Sequence, residues 1–191
     1  KANISIRITD KFMAAVKNRT PFTLSFTRLE TGETITKEID AYEMFHKMCE
    51  MNWDYAEPGM LFWDRINNWN LLSCDDEFEY AGTNPCAEEP LPAGGSCLLG
   101  SINLAEFTCD TGFDFDSFKY CVKESVKALN EVLDEGLPLH PLKEQRQSVY
   151  DWRQIGLGIF GLADLLIKLG IKYGGPEAID LCDMIGHTMA D

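Results

Sequence analysis

The sequence predicts an α/β fold, built as a layered sheet or as a segment of a barrel. Short stretches that alternate polar and apolar residues are followed by stretches of helical periodicity, and neither an internal repeat nor a low-complexity linker interrupts them. Asn3-Ile4-Ser5-Ile6-Arg7-Ile8 alternates as a strand does, and Thr9 or Asp10 can cap a short helix running through Val16. Phe22 to Leu29 alternates again, turns at Thr31-Gly32 and pairs with Thr34 to Ile39, which predicts a surface hairpin. Asp40 then caps a helix whose buried stripe is Met44, Phe45 and Met48. Pro58-Gly59 breaks the chain before Met60-Leu61-Phe62-Trp63, a run short enough for a buried strand, with Asp64 to Asn70 as a turn or short helix.

From Ser73 to Gly100 the periodicity disappears while Pro85, Pro90, Pro92, Gly94 and Gly95 accumulate. A long irregular segment inside a compact domain is usually functional or disordered, and Cys86, Leu91, Leu98 and Leu99 give this one apolar anchors. Beyond it, Phe118, Val122, Val126, Leu129 and Leu133 mark one face of a long helix that Gly136 can terminate. A second helical stretch runs from about Phe160 to Leu169. A third starts at Pro176, a residue that suits the first helical turn.

The chain of 191 residues has the mass of one ordinary domain. Lys1 at its start, and Met189-Ala190-Asp191 inside a helical pattern at its end, read as an excerpt of a longer chain. Against 31 acidic residues stand 17 basic ones, a formal charge of −14 that repels polyanions and argues against a nucleic-acid groove, while one small phosphate still needs only local donors. No apolar run approaches the roughly 18 residues that span a bilayer, and the start lacks the order of a signal peptide. Both point to a cytoplasmic parent with no membrane partner. The seven cysteines form no Cys-x-x-Cys pair, so structural zinc or another metal site is not expected. Cys49, Cys121 and Cys182 sit in helical patterns and read as small buried hydrophobes. Cys74 and Cys109 read as loop thiols. His46, His140 and His187 have no ligand spacing.

Chemistry concentrates in Thr83-Asn84-Pro85-Cys86-Ala87-Glu88-Glu89-Pro90-Leu91 and, after it, Cys97-Leu98-Leu99-Gly100-Ser101-Ile102-Asn103-Leu104. Side chains two apart share a face of an extended chain, so Asn84, Cys86 and Glu88 are expected to bring an amide, a thiol and a carboxylate to one ligand. Each has an ordinary rival. Glu88 can be a solvated charge beside Glu89, Asn84 a turn residue before proline, and Cys97 a core thiol.

These two stretches resemble the active-site finger loop of ribonucleotide reductases. Ala56-Glu57-Pro58-Gly59 with Phe62, Asp64 and Asn67 resembles the family's segment upstream of that loop. Arg153-Gln154-Ile155-Gly156-Leu157-Gly158 through Gly161-Leu162-Ala163-Asp164 and Tyr173 resembles its downstream strand-helix unit. The resemblance implies that residues 1–191 are a single segment of a ten-stranded α/β barrel with a central finger loop at about 81–100. It implies that Cys86 carries a thiyl radical, Glu88 acts as general base, Asn84 orients the ribose, and Cys97 is one half of a redox-active dithiol. The other half is expected upstream of this segment. The resemblance also implies a ribonucleoside di- or triphosphate substrate, a thioredoxin-like or other dithiol reductant, and a homodimer in the full-length protein. The wording around Cys86 and the short gap to Cys97 look most like the adenosylcobalamin-dependent class, with a metal-radical small subunit as the alternative radical source.

Two other readings remain open at the level of sequence. Gly156-Leu157-Gly158-Ile159-Phe160-Gly161 matches a dinucleotide fingerprint, although Gln145 to Gln154 is too polar for the buried strand that should precede one. A thiol switch closing a Cys86–Cys97 disulfide is the other. Neither uses Asn84 and Glu88 together.

Overall fold

The computed structural model describes residues 2–191, which form two compact units, one running to Leu91 and the other from Pro92 to Asp191. The break between them falls inside the irregular 81–100 stretch.

In the first unit β1 (Ser5–Ile8) leads into α1 (Asp10–Asn18), whose N-cap Thr9 accepts a hydrogen bond from the Phe12 N–H at 3.1 Å. The hairpin of β2 (Pro21–Thr27) and β3 (Thr34–Asp40) follows, antiparallel, with Phe22 opposite Ile39 and Phe26 opposite Ile35. Asp40 caps α2 (Ala41–Tyr55) by accepting from the Glu43 N–H. Then come β4 (Gly59–Phe62) and α3 (Trp63–Asn68). β4 returns parallel to β1, pairing Ser5 with Gly59 and Ile8 with Phe62, so the unit is a β-α-β crossover carrying an inserted hairpin. Its core is Ile8, Phe12, Val16 and Ala41, with Phe22, Phe45, Met48 and Met60 packed against them. The upstream motif serves as a clasp. Glu57 Oε2 accepts from the Ile4 N–H at 3.2 Å, and Asp64 Oδ2 accepts from the Asp10 N–H at 2.7 Å. The unit ends in two short strands, β5 (Gly82–Thr83) and β6 (Pro90–Leu91).

The second unit repeats the logic. β7 (Leu98–Asn103) runs into a 3₁₀ turn (Leu104–Phe107) and a tight pair, β8 (Thr108–Cys109) and β9 (Gly112–Phe113). The crossover continues through α4 (Phe115–Gly136), a second 3₁₀ turn (Leu137–Leu139) and α5 (Lys143–Trp152). It returns in β10 (Ile155–Phe160), parallel to β7 with Leu98 opposite Ile155 and Asn103 opposite Phe160, before α6 (Leu162–Leu169) and α7 (Pro176–Ala190). Phe118, Leu104, Leu165, Leu166 and Ile185 fill the core. At the end of α5, Arg153 bonds Asp134 Oδ1 at 2.7 Å and Asn130 Oδ1 at 3.0 Å, tying the entry of β10 to α4. That hydrogen bond holds the Asp134 carboxyl below its usual range and the guanidinium of Arg153 above its own.

The α/β class holds, with strands paired only in twos and no closed barrel among the described residues. Several expectations are corrected. The strand of the downstream unit runs through Phe160, so α6 starts at Leu162 rather than near Phe160. Lys143–Trp152, expected to be too polar for a buried strand, is indeed not one but a helix. Gly136 closes α4 with a right-handed φ of −73°, so the stop comes from Pro138 in the 3₁₀ turn and not from a left-handed glycine. Cys49 and Cys182 are exposed: Cys182 lies one residue past buried Leu181, about 100° around the helix, and Cys49 is likewise one residue past Met48. Cys121 is half-buried against the core, nearer the expectation. Val126 is exposed, so the buried stripe of α4 is Phe118, Val122 and Leu133. No helix among the described residues is long and apolar enough to cross a membrane.

Gly161 turns β10 into α6 at φ +72°, and a methyl group there would collide with the Asn103 side chain. Gly161→Ala is therefore expected to cost at least about 1–2 kcal/mol from the left-handed backbone alone, read as a lower denaturation midpoint with an unchanged denaturant slope.

Candidate active site

β5 and β6 pair Gly82 with Leu91 and Thr83 with Pro90, and this two-rung ladder presents Asn84–Glu89 as a closed tip. Asn84 closes it twice. Its N–H donates to Glu89 O at 3.2 Å, and its Oδ1 accepts from the Glu89 N–H at 3.0 Å. Its carbonyl accepts from the Ala87 N–H at 3.0 Å, making a turn over Pro85-Cys86. Ala87 then takes a left-handed φ of 68°. The stretch is a turn and not an extended strand, so the expected alternation of Asn84, Cys86 and Glu88 along one extended face is overturned. In the closed loop Asn84 is half-buried at the neck, and Cys86 and Glu88 are exposed on the tip. Neither the Cys86 thiol nor the Glu88 carboxylate makes a hydrogen bond or ion pair among the described residues. Both are open to a ligand.

Beside the tip, Ala87 and Pro90 border a groove of about 550 Å³ in the same unit. Its wall includes Met60, Leu61, Phe62, Ile66, Trp69 and Tyr80, with Arg65 as its one charged side chain. No pattern in the sequence singled out this wall. Its members are scattered from β4 to Tyr80, and only the return of the chain to Pro90 brings them together.

Cys97 lies in the second unit, one residue before β7, half-buried with Sγ 4.0 Å from Leu98 O. Its strand is held by the Leu98 N–H donating to Gln154 O at 3.2 Å. It lines a cavity of about 210 Å³ with Ser96, Leu98, Val132, Leu133, Gly136, His140 and Val149. Gly94, at φ +69°, lets the preceding loop come against the α5 backbone at Glu144, where a Cβ would sit 2.8 Å from the carbonyl oxygen. Among the described residues no group of three or more His, Cys, Asp or Glu side chains is placed to hold a metal ion.

The glycine run does not form a dinucleotide loop. Gly156 and Gly158 are ladder residues inside β10, opposite Leu99 and Ser101, whereas the fingerprint needs its first glycines in the turn after the strand. Gly158 instead leaves room for the Ser101 side chain, 3.7 Å from where a Cβ would lie.

The ribonucleotide reductase barrel-domain profile matches residues 1–191. A vitamin B12-dependent ribonucleoside-diphosphate reductase of Thermoplasma acidophilum is 35% identical over 99% of the chain and 24% of its own length. One of Mycobacterium tuberculosis is 36% identical over 94% of the chain and 25% of its own length. A ribonucleoside-diphosphate reductase subunit alpha of Chlamydia muridarum is 30% identical over 82% of the chain and 15% of its own length. The chain thus spans a quarter or less of these relatives. With a profile covering every residue, and the finger-loop wording carried on a structured tip, the chain belongs to the ribonucleotide reductase barrel-domain family.

Proposed function

We propose that this chain is an internal segment of an enzyme that reduces ribonucleoside di- or triphosphates to 2′-deoxyribonucleotides by thiyl-radical chemistry. The observation that carries the proposal is the tip itself: a loop locked by Asn84 holds Cys86 and Glu88 outward with neither side chain engaged. Cys86, as a thiyl radical, takes the 3′ hydrogen of the ribose, a near-balanced step because S–H and C–H bonds are of similar strength. Glu88 accepts the 3′-hydroxyl proton. Asn84, whose Oδ1 is committed to the loop, offers its Nδ2 to a ribose hydroxyl. The 2′-hydroxyl leaves as water, and a dithiol containing Cys97 supplies two electrons and becomes a disulfide. Its second cysteine lies outside this segment, and a thioredoxin-like or other dithiol reductant restores the pair.

In this reading β1, β4, β7 and β10 contribute parallel strands to the ten-stranded barrel. The remainder of the barrel covers the tip and supplies the water-poor surroundings a general base needs. The parent works as a homodimer in the reducing cytoplasm, where free thiols persist.

Adenosylcobalamin is the radical source we infer, and when bound it supplies the radical that Cys86 receives. The aromatic lining of the groove beside the tip suits the planar nucleoside part of that cofactor: Phe62, Trp69 and Tyr80 would hold its base by stacking. The Thermoplasma and Mycobacterium relatives, both named B12-dependent, also match more of the chain, at higher identity, than the subunit alpha does. The full-length protein, assayed anaerobically with a dithiol and no second subunit, is expected to form deoxyribonucleotide only when adenosylcobalamin is added. Product that appears only on adding a metal-radical subunit would overturn the cobalamin assignment.

A further inference from the structure

The cavity beside Cys97 contains one other side chain able to exchange a proton near neutral pH. His140 lines it, and the remaining wall is Ser96, Leu98, Val132, Leu133, Gly136 and Val149. His140 ends the Leu137–Leu139 turn with φ −63° and ψ 124° and is followed by Pro141. Both Cys97 and His140 are half-buried. The neighbouring charges lie elsewhere. Asp134 on α4 is bound to Arg153, and Glu131 and Glu135 on α4 and Lys143, Glu144 and Arg146 on α5 do not line the cavity. At about 30 Å³ of liquid volume per water, about 210 Å³ has room for several waters in the cavity that thiol and imidazole both line.

The geometry points to His140 as the proton partner of the Cys97 thiol during re-reduction of the disulfide. This rests on the reading of Cys97 as half of the redox pair. A thiolate of the reductant attacks the sulfur of the partner cysteine and forms a new S–S bond there. The old bond breaks, its electron pair leaves on Cys97 Sγ, and the His140 imidazolium protonates that thiolate directly or through a cavity water. The second thiol of the reductant gives its proton back to the imidazole and, as thiolate, displaces the partner cysteine. Two electrons pass from the dithiol to the pair, and the imidazole ends as it began.

Such an arrangement has a pH signature that packing lacks. Attack needs a thiolate and speeds up as pH rises, whereas donation by an imidazolium fades over the same range, so the combined rate passes through a maximum. The test uses the full-length protein, oxidised by one turnover without reductant. Its re-reduction by dithiothreitol is followed as thiol release from about pH 6 to 8.5, spanning the ordinary histidine range. Wild type should show the maximum. His140→Gln and His140→Asn should re-reduce about tenfold more slowly at the acid end and rise steadily with pH. The effect is smaller than the usual 10²–10⁴ of a general acid because a thiolate is already a good leaving group. A wild-type rate and profile in both variants overturns the proposal, as does a uniform slowing that keeps the maximum. Cys97→Ser separates the two layers: no disulfide should form after one turnover, and a disulfide that still forms overturns the role of Cys97 itself.

Discussion

Cys86→Ser in the full-length protein is expected to lower deoxyribonucleotide formation by at least about 10⁴-fold, the scale on which reacting groups of concerted sites fail when removed, while thermal unfolding stays in place. Serine keeps the size and polarity of the side chain and leaves the loop intact, because every hydrogen bond that closes the tip runs through Asn84, Ala87 and Glu89 and none through Sγ. An exposed side chain without partners contributes within about ±0.5 kcal/mol to stability. What is lost is the bond strength that makes hydrogen abstraction reversible: an O–H bond is much stronger than a ribose C–H bond, so serine cannot be oxidised to the corresponding radical by the same donor. Anaerobic product assay and a thermal scan of the same preparation separate the two effects. Retained turnover would remove the radical role from Cys86. Lost turnover with a lowered melting temperature would instead make Cys86 a structural residue of the tip.

The sequence revealed the local elements of the first unit because each is marked by short-range rules. Thr9 and Asp40 cap helices, as their side chains could be expected to do, and Pro58-Gly59 opens β4. The finger loop was found by its wording, and its geometry was misread for an identifiable reason. Period-2 alternation assumes extended backbone at every step, and the turn over Pro85-Cys86 followed by left-handed Ala87 breaks it; alanine gives no warning of a positive φ, as glycine or asparagine would. The strand Leu98–Asn103 was partly hidden in the irregular stretch because Gly100 and Ser101 are poor strand formers, and pairing with β10, more than fifty residues on, decides its state. The residues Glu57, Asp64 and Arg153, which carry part of the family resemblance, act as clasps, binding Ile4, Asp10, Asn130 and Asp134. His140 had no ligand spacing to mark it. Its nearness to Cys97 depends on the fold of α4, since the two are remote in sequence.

Phe118→Ala tests that dependence at its centre and is expected to be the most destabilising single change in the second unit. The ring is fully buried, 0% exposed, in the cluster that also holds Ile102 and Leu104. It meets the Phe107 and Phe113 rings edge to face, with centroids 5.4 and 5.3 Å away. Truncation removes the ring's transfer energy and leaves a cavity that three elements cannot easily close, about 3–5 kcal/mol in comparable cores, with part of it in the lost edge-to-face contacts. Phe118 joins the first turns of α4 to the strand that begins one residue after Cys97, so the loss should be felt along β7 and not only in the helix. Amide hydrogen exchange of the full-length protein reads this locally. β7 and α4 should exchange at least about a hundredfold faster, the equivalent of about 3 kcal/mol, while β2 and β3 in the other unit keep their protection. Acceleration confined to α4 would mean that β7 is anchored without the aromatic cluster, and the link from core packing to the position of Cys97 would fail.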